Sequence, residues 1–262
     1  LLVDLKSAVE APRTLVDISR AQDLKEIALT SQGLSLGALV THAALMRSPL
    51  VRELAPALAA AAPTVGAVQT RELGTLGGNL VSGVPSMDSG PTLLALDALV
   101  TVASRAGRRQ LPLADFFAGP RKTVLGDGEL LVEIVVPMAS LRKPADFQKM
   151  GLRKGQALAL VNVAAATWVD AGRNTFSAPR IALGAVAPTI ARARDAETYL
   201  VGLEISADAM TEAGLIAAAE ARPISDFRAP AQDRRDLVAV LTRRALANAL
   251  ERARAGGGGP RG

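Results

Sequence analysis

The spacing of apolar positions changes period several times along the chain, and each change marks an element. Thr14 to Ser19 (TLVDIS) alternates apolar and polar residues with the period of a half-buried strand, and Leu34 to Leu36 reads the same way. Residues 38–47 and 50–62 carry Ala and Leu at helical spacing, with Pro49 at a helix start, where its missing N–H is no loss. Leu99 to Ala103 and Leu130 to Val136 are apolar runs of buried-strand length, the second stopped by Pro137. Strands mixed with helices predict an α+β or α/β arrangement for this half. Around Met138 to Pro144 the periodicity stops, and charged residues with proline predict a linker.

Beyond the linker the texture changes. Residues 145–151, 161–169 and 180–187 read as strands, and Asp170 to Arg173 (DAGR) predicts an antiparallel hairpin between the last two. Helical patterns follow at 194–203, 207–222 and 233–254, the last with apolar positions at Leu237, Val240, Leu241, Leu246 and Leu250. The expectation is two domains, 1–140 and 144–254, with a flexible tail at 255–262. The second would be a three-stranded antiparallel sheet backed by helices. Leu158 to Val169, the best candidate for a membrane span, is only 12 residues long and holds Asn162 and Thr167, so it reads as a buried strand.

Composition then removes whole classes of function. With 49% hydrophobic and 21% charged residues the chain is globular rather than disordered. The net charge of +5 suggests nucleic acid, but Arg252, Arg254 and Arg261 lie in or beside the glycine-rich tail and leave +2 on the rest. Aromatic residues at 3% are too few for a base-stacking platform. There is no cysteine, so the chain alone can hold no iron-sulfur cluster, disulfide or thiol nucleophile. The single His42 builds no His-based metal site and reads as structural. Chemistry here has to come from a cofactor or from another chain.

The segment Arg71 to Asp97, RELGTLGGNLVSGVPSMDSGPTLLALD, is the most informative. Gly74, Gly77 and Gly78 demand a sharp turn and allow a close approach to the backbone. Amides in such a loop can form a concave site for an anion such as a pyrophosphate. Thr75 and Asn79 bracket the turn with short polar side chains, and Asp88 opens a helical run that it could cap, or it could accept from a sugar or ribityl hydroxyl. A plain tight turn explains the glycines equally well, and the pattern is not GxGxxG. Spacing alone leaves both readings open.

A resemblance adds to this. Arg71, Gly74-Thr75-Leu76-Gly77-Gly78-Asn79, Gly83-Val84-Pro85, Asp88 and Leu94-Ala95-Leu96-Asp97-Ala98 resemble the flavoprotein subunits of carbon monoxide dehydrogenase and the FAD domain of xanthine dehydrogenase. The likeness continues through Glu129-Leu130-Leu131, Phe147-Gln148-Lys149 with Arg153, and Arg180-Ile181-Ala182-Leu183-Gly184-Ala185-Val186-Ala187-Pro188, so it spans essentially the whole chain.

The resemblance implies a fold of the vanillyl-alcohol oxidase type, two α/β subdomains with FAD between them, followed by a smaller C-terminal domain. It implies that Thr75, Leu76, Gly77, Gly78 and Asn79 hold the pyrophosphate side of FAD. Ser82 and Asp88 would extend the polar contacts, Leu131 would touch a ring system, and Lys149 would place a positive charge near the flavin. It further implies an electron-transfer subunit in a cytoplasmic complex. A large partner would carry a molybdenum cofactor and a small one two [2Fe–2S] clusters, as a dimer of heterotrimers. A stand-alone flavin oxidoreductase and a flavin-free scaffold are the other readings.

Two departures stand out. The family's Ala-Gly-Gly loop, the other half of the pyrophosphate site, would precede the segment matching Leu1 to Lys6, so either the natural chain extends upstream, as expected, or half the cradle is lost. Phe147 stands where many relatives have Tyr, without its hydroxyl.

Overall fold

The computed structural model describes residues 14–255. After β1 (Ile27–Leu29) and β2 (Gly33–Gly37) come three short helices, α1 (His42–Arg47), α2 (Pro49–Leu54) and α3 (Pro56–Ala61). Thr41 caps α1 by accepting from the Ala44 amide at 3.1 Å, and Ser48 caps α2. The helix expected over 50–62 is two helices. Pro56 has no N–H to give and disfavours helical backbone at Ala55, which adopts φ −141° and ψ 59°. The helix expected over 38–47 begins only at His42, because Ala38 and Val40 offer their carbonyls elsewhere, as described below.

Next come α4 (Val68–Leu73), α5 (Leu76–Val81) and α6 (Ser89–Ala95). They lead into β3 (Leu99–Ser104), β4 (Gly107–Pro112), the small hairpin of β5 (Phe117–Gly119) and β6 (Lys122–Thr123), and β7 (Leu130–Pro137). One antiparallel sheet runs β1-β2-β7-β3-β4. Strand β4 escaped prediction because GRRQLP is exposed along nearly its whole length, as suits an edge strand, and carries no apolar alternation. The strand expected at Thr14 to Ser19 does not form. Among the described residues that segment joins no sheet, and Leu15 and Val16 lie exposed.

The segment Met138 to Pro144 opens with a 3-10 turn at Met138–Ser140, and Ser140, Leu141 and Lys143 are buried rather than solvated as a linker would be. Lys143 is 3% exposed and donates to the Ala178 carbonyl at 2.6 Å, and burial holds its pKa down at about 8. The second sheet contains β8 (Ala145–Gly151) and β9 (Ala159–Asp170) near their expected places, β10 (Thr175–Gly184), which lies earlier than the expected 180–187, and a fourth strand, the two-residue β11 (Ala191–Arg192), in the order β11-β10-β9-β8. Asp170 closes the β9–β10 turn by accepting from the amides of Gly172 and Arg173. Helices α7 (Arg194–Leu200), α8 (Ala207–Glu220) and α9 (Ala231–Ala255) pack behind it.

Strand β9 is buried on both faces, which explains its unbroken apolar run. Ala164 and Ala166 join the core of the first sheet, whereas Val161, Val163 and Ala165 join the core beneath α7–α9. Asp97 ties the two halves electrostatically, accepting from Arg180 Nε at 2.9 Å and Arg192 Nη1 at 2.8 Å. No helix among the described residues is long and apolar enough to cross a membrane.

Candidate functional site

The glycine motif folds as a capped helix, not an open loop. Thr75 precedes α5 and accepts from the Gly78 amide at 3.0 Å, while the Asn79 amide bonds the Thr75 carbonyl at 3.0 Å. Leu76 N–H donates to the Val40 carbonyl at 2.8 Å and Gly77 N–H to the Ala38 carbonyl at 2.9 Å. All four amides from Leu76 to Asn79 therefore donate within the chain. The expected nest of free amides is not what this backbone offers.

The two adjacent glycines serve different ends. A Cβ on Gly77 would sit 2.7 Å from both the Cβ and the carbonyl oxygen of Ala38, so Gly77 allows α5 to lie directly on the 38–40 strip. A Cβ on Gly78 would meet only the Thr75 hydroxyl, at 2.9 Å, and Gly78 is exposed. That outward face is open to an approaching ligand.

Beside it lies a cleft of about 400 Å³, within the range of small-molecule sites. Of the expected residues, Asn79, Ser82 and Asp88 line it. Asn79 Oδ1 accepts from Ser89 at 2.6 Å, and Ser82 donates to the Gly78 carbonyl at 2.7 Å, so both are held in place; the Asn79 Nδ2 donor is left for a ligand. Leu131 is elsewhere. It is 3% exposed in β7 and fills the first core. Phe147 is in that core too.

Lys149 is neither a surface lysine nor a lining residue. Its ammonium makes three bonds, to Asp88 Oδ2 at 2.5 Å, the Ala157 carbonyl at 2.9 Å and the Thr64 carbonyl at 3.0 Å. It thereby fastens the β8–β9 turn and the loop before α4 to the start of α6. Asp88 does not cap α6; its carboxylate faces Lys149 and Asn162 instead. Burial pushes the Asp88 pKa up, against the opposing pull of Lys149 and Asn162.

Sequence reasoning missed the far wall of the cleft, made by Val65, Gly66 and Thr70 with Gln156, Ala157 and Leu158. One signal was present. Arg71 is part of the motif, and its guanidinium Nη1 donates to the carbonyls of Pro63 and Val65, both at 2.9 Å, shaping that wall.

His42, as expected, is structural: it is 1% exposed, and its Nδ1 has no partner. Burial, assisted by Arg71, lowers its pKa to about 4. Because the unfolded state takes up the proton first, stability is expected to fall as pH drops from about 6.5 toward 4. Urea unfolding at pH 7 and pH 4.5 should show this loss, and a folded His42→Leu variant should lose part of the pH dependence.

Residues 1–139 match the FAD binding domain in molybdopterin dehydrogenase, and residues 146–249 match the CO dehydrogenase flavoprotein C-terminal domain. The chain belongs to this flavoprotein family. It is thus an FAD-binding oxidoreductase subunit of the molybdenum hydroxylase type. It is 31% identical to the glyceraldehyde dehydrogenase medium chain of Sulfolobus acidocaldarius, over 94% of this chain and 86% of that protein. Among solved structures it is similar to carbon monoxide dehydrogenase from Hydrogenophaga pseudoflava, with a TM-score of 0.90 and 31% identity over 96% of this chain and 86% of that one. It is also similar to quinoline 2-oxidoreductase from Pseudomonas putida 86, with a TM-score of 0.88 and 31% identity over 96% and 87% of the two chains.

Proposed function

We propose that FAD lies along the cleft beside α5, and that this chain takes electrons from the [2Fe–2S] clusters of a small partner and delivers them to an external acceptor. A large partner would carry the molybdenum cofactor and oxidise the substrate. The observation that carries this reading is the convergence of Asn79, Ser82 and Asp88 on one cleft, next to the open face of Gly78. The residues fit such a group. Val84, Met87 and Leu158 supply apolar wall for a ring, and Thr70, Asn79 and Ser82 supply polar groups for a ribityl or phosphate chain. The names of the relatives, medium chains of dehydrogenases, support a multi-subunit assembly.

When bound, FAD supplies the conversion between one-electron and two-electron transfer. This chain's own residues do the rest. Thr75 and Gly77 set the position of α5, Gly78 leaves its backbone approachable, and Asn79 Nδ2 would be the donor to the cofactor. Lys149 keeps the two loops at the rim fastened, and its charge, paired with Asp88, favours the reduced anionic flavin less than a free lysine would. A division into domains 1–140 and 144–254, assembly as a dimer of heterotrimers and a cytoplasmic location belong to the same proposal.

The full chain is expected to bind FAD in a fluorescence titration, yet to show negligible oxidation of any hydroxylase substrate alone. Activity should return when the molybdenum and iron-sulfur subunits are added, because Asp88, the acid that lines the cleft, is held by Lys149 and Asn162 rather than aimed at a substrate. Robust turnover by the polypeptide with partners shown absent by mass spectrometry would instead identify a stand-alone flavoenzyme, and failure to bind FAD would identify a scaffold.

A further inference from the structure

Asn162 is a fully buried amide in the middle of an apolar strand, and neither the motif nor the cofactor reading explains it. Its place in the sheet does. On one side it is registered opposite Lys149 of β8, and on the other opposite Gly184 of β10. Cross-strand partners present their side chains on the same face, so Lys149 and Asn162 reach out together toward the start of α6. There Asn162 Nδ2 donates to Asp88 Oδ1 at 3.0 Å and to the Met87 carbonyl at 3.0 Å, while Lys149 takes the other carboxylate oxygen. Each oxygen of Asp88 is thus held by one member of a cross-strand pair.

Gly184 completes the arrangement. A Cβ built there would lie 2.0 Å from Asn162 Oδ1, an overlap no small adjustment relieves, and 3.0 Å from Pro91 Cγ of α6. Any larger residue would drive the amide out of its place. The position also bears a standing penalty, because Asn162 Oδ1 is buried without a hydrogen-bond partner. An apolar residue would avoid that penalty but would take the donor from the Met87 carbonyl and from Asp88 Oδ1, so asparagine is tied to the placing of this carboxylate.

We infer that Asn162 is a positioning residue, which sets the Asp88 carboxylate at the wall of the cofactor cleft, and that Gly184 is glycine to give it room. The amide fixes both the turn at Met87 and the direction of the carboxylate. It also adds a donor that favours the ionised form of a buried acid. Lys149 is the charged group that acts on Asp88 from β8, and Thr64 before α4 and Asn162 on β9 act through hydrogen bonds. The functional side of this inference rests on the reading of the cleft as the FAD site.

The test follows the titration of Asp88 by carboxyl-¹³C NMR in the full chain, assigned with Asp88→Asn. Losing a hydrogen bond to the charged form should move the midpoint up by about one pH unit in Asn162→Leu. Gly184→Ala, with Asn162 still present, should move it in the same direction. Asn162→Ala with Gly184→Ala should lose little beyond Asn162→Ala alone, since the overlap with the amide is gone and only the 3.0 Å approach to Pro91 Cγ remains. FAD should bind Asn162→Leu about tenfold more weakly, with the acid loss of binding displaced to higher pH. A folded Asn162→Leu whose Asp88 midpoint and FAD affinity match the wild type would overturn the inference. Should that variant not fold, an unchanged midpoint in Gly184→Ala overturns it equally. If the wild-type chain binds no FAD, the cleft assignment fails, and the NMR midpoint still decides the role of Asn162.

Discussion

Lys149→Met is expected to destabilise the protein by about 3–5 kcal/mol, because it leaves the buried carboxylate of Asp88 without its ionic partner. The pair is well shielded, with side-chain exposures of 11% for Lys149 and 6% for Asp88, so solvent cannot replace the lost contact. The two carbonyls of Thr64 and Ala157 lose their donor at the same time. For a chain of this size the midpoint of thermal unfolding should fall by roughly 10 °C. Combining Lys149→Met with Asp88→Asn should recover more than half of the loss, since no isolated charge then remains buried. Calorimetry of the single and double variants measures this directly. A single variant as stable as the wild type would mean that the ammonium does not fasten the rim of the cleft.

The second large effect separates two neighbouring glycines. Gly77→Ala should destabilise the fold by about 1–3 kcal/mol, because its methyl group would overlap the Ala38 carbonyl and force α5 off the strip it packs on. Gly78→Val should spare most of the fold and weaken binding instead. Its Cβ would meet only the Thr75 hydroxyl, so a helix cap worth about 1 kcal/mol is disturbed, whereas the approach to the backbone is closed. FAD affinity should drop at least about tenfold in Gly78→Val with the unfolding midpoint nearly preserved. Equal flavin content in folded Gly78→Val would remove the α5 backbone from the proposed contact surface.

Much of this was legible in the sequence where one physical signal dominated. The second half reads well because β8, β9 and β10 are long enough to carry a pattern and turn residues such as Asp170 mark their ends. Only β11, two residues long, has too little sequence to carry a period. Strand β4 was hidden because an edge strand is free to be polar, and the break at Ala55 was signalled by Pro56 but overruled by the run of Ala and Leu.

The site divides the same way. Asn79, Ser82 and Asp88 come from one continuous motif, and the fold brings them to one cleft. The wall at Val65, Gly66 and Gln156 is joined only in space, by the Gln156 amide bonding the Gly66 carbonyl at 3.3 Å, and no local pattern announces that. The partnership of Lys149, Asn162 and Gly184 depends on strand register. Alternation tells which face a residue takes but not which residue lies opposite.

The double burial of β9 bears on how the molecule comes apart. Ala164 and Ala166 close one core while Val161, Val163 and Ala165 close the other, so neither core keeps its wall if this strand leaves. The slowest-exchanging amides should therefore cluster on β9 and its neighbours β8 and β10, with protection equal to that of global unfolding. Heating should give one calorimetric transition whose van't Hoff and measured enthalpies agree, rather than two. Cutting the chain at the linker would then yield an N-terminal fragment that collapses without settling, and recovery of order would require both fragments together.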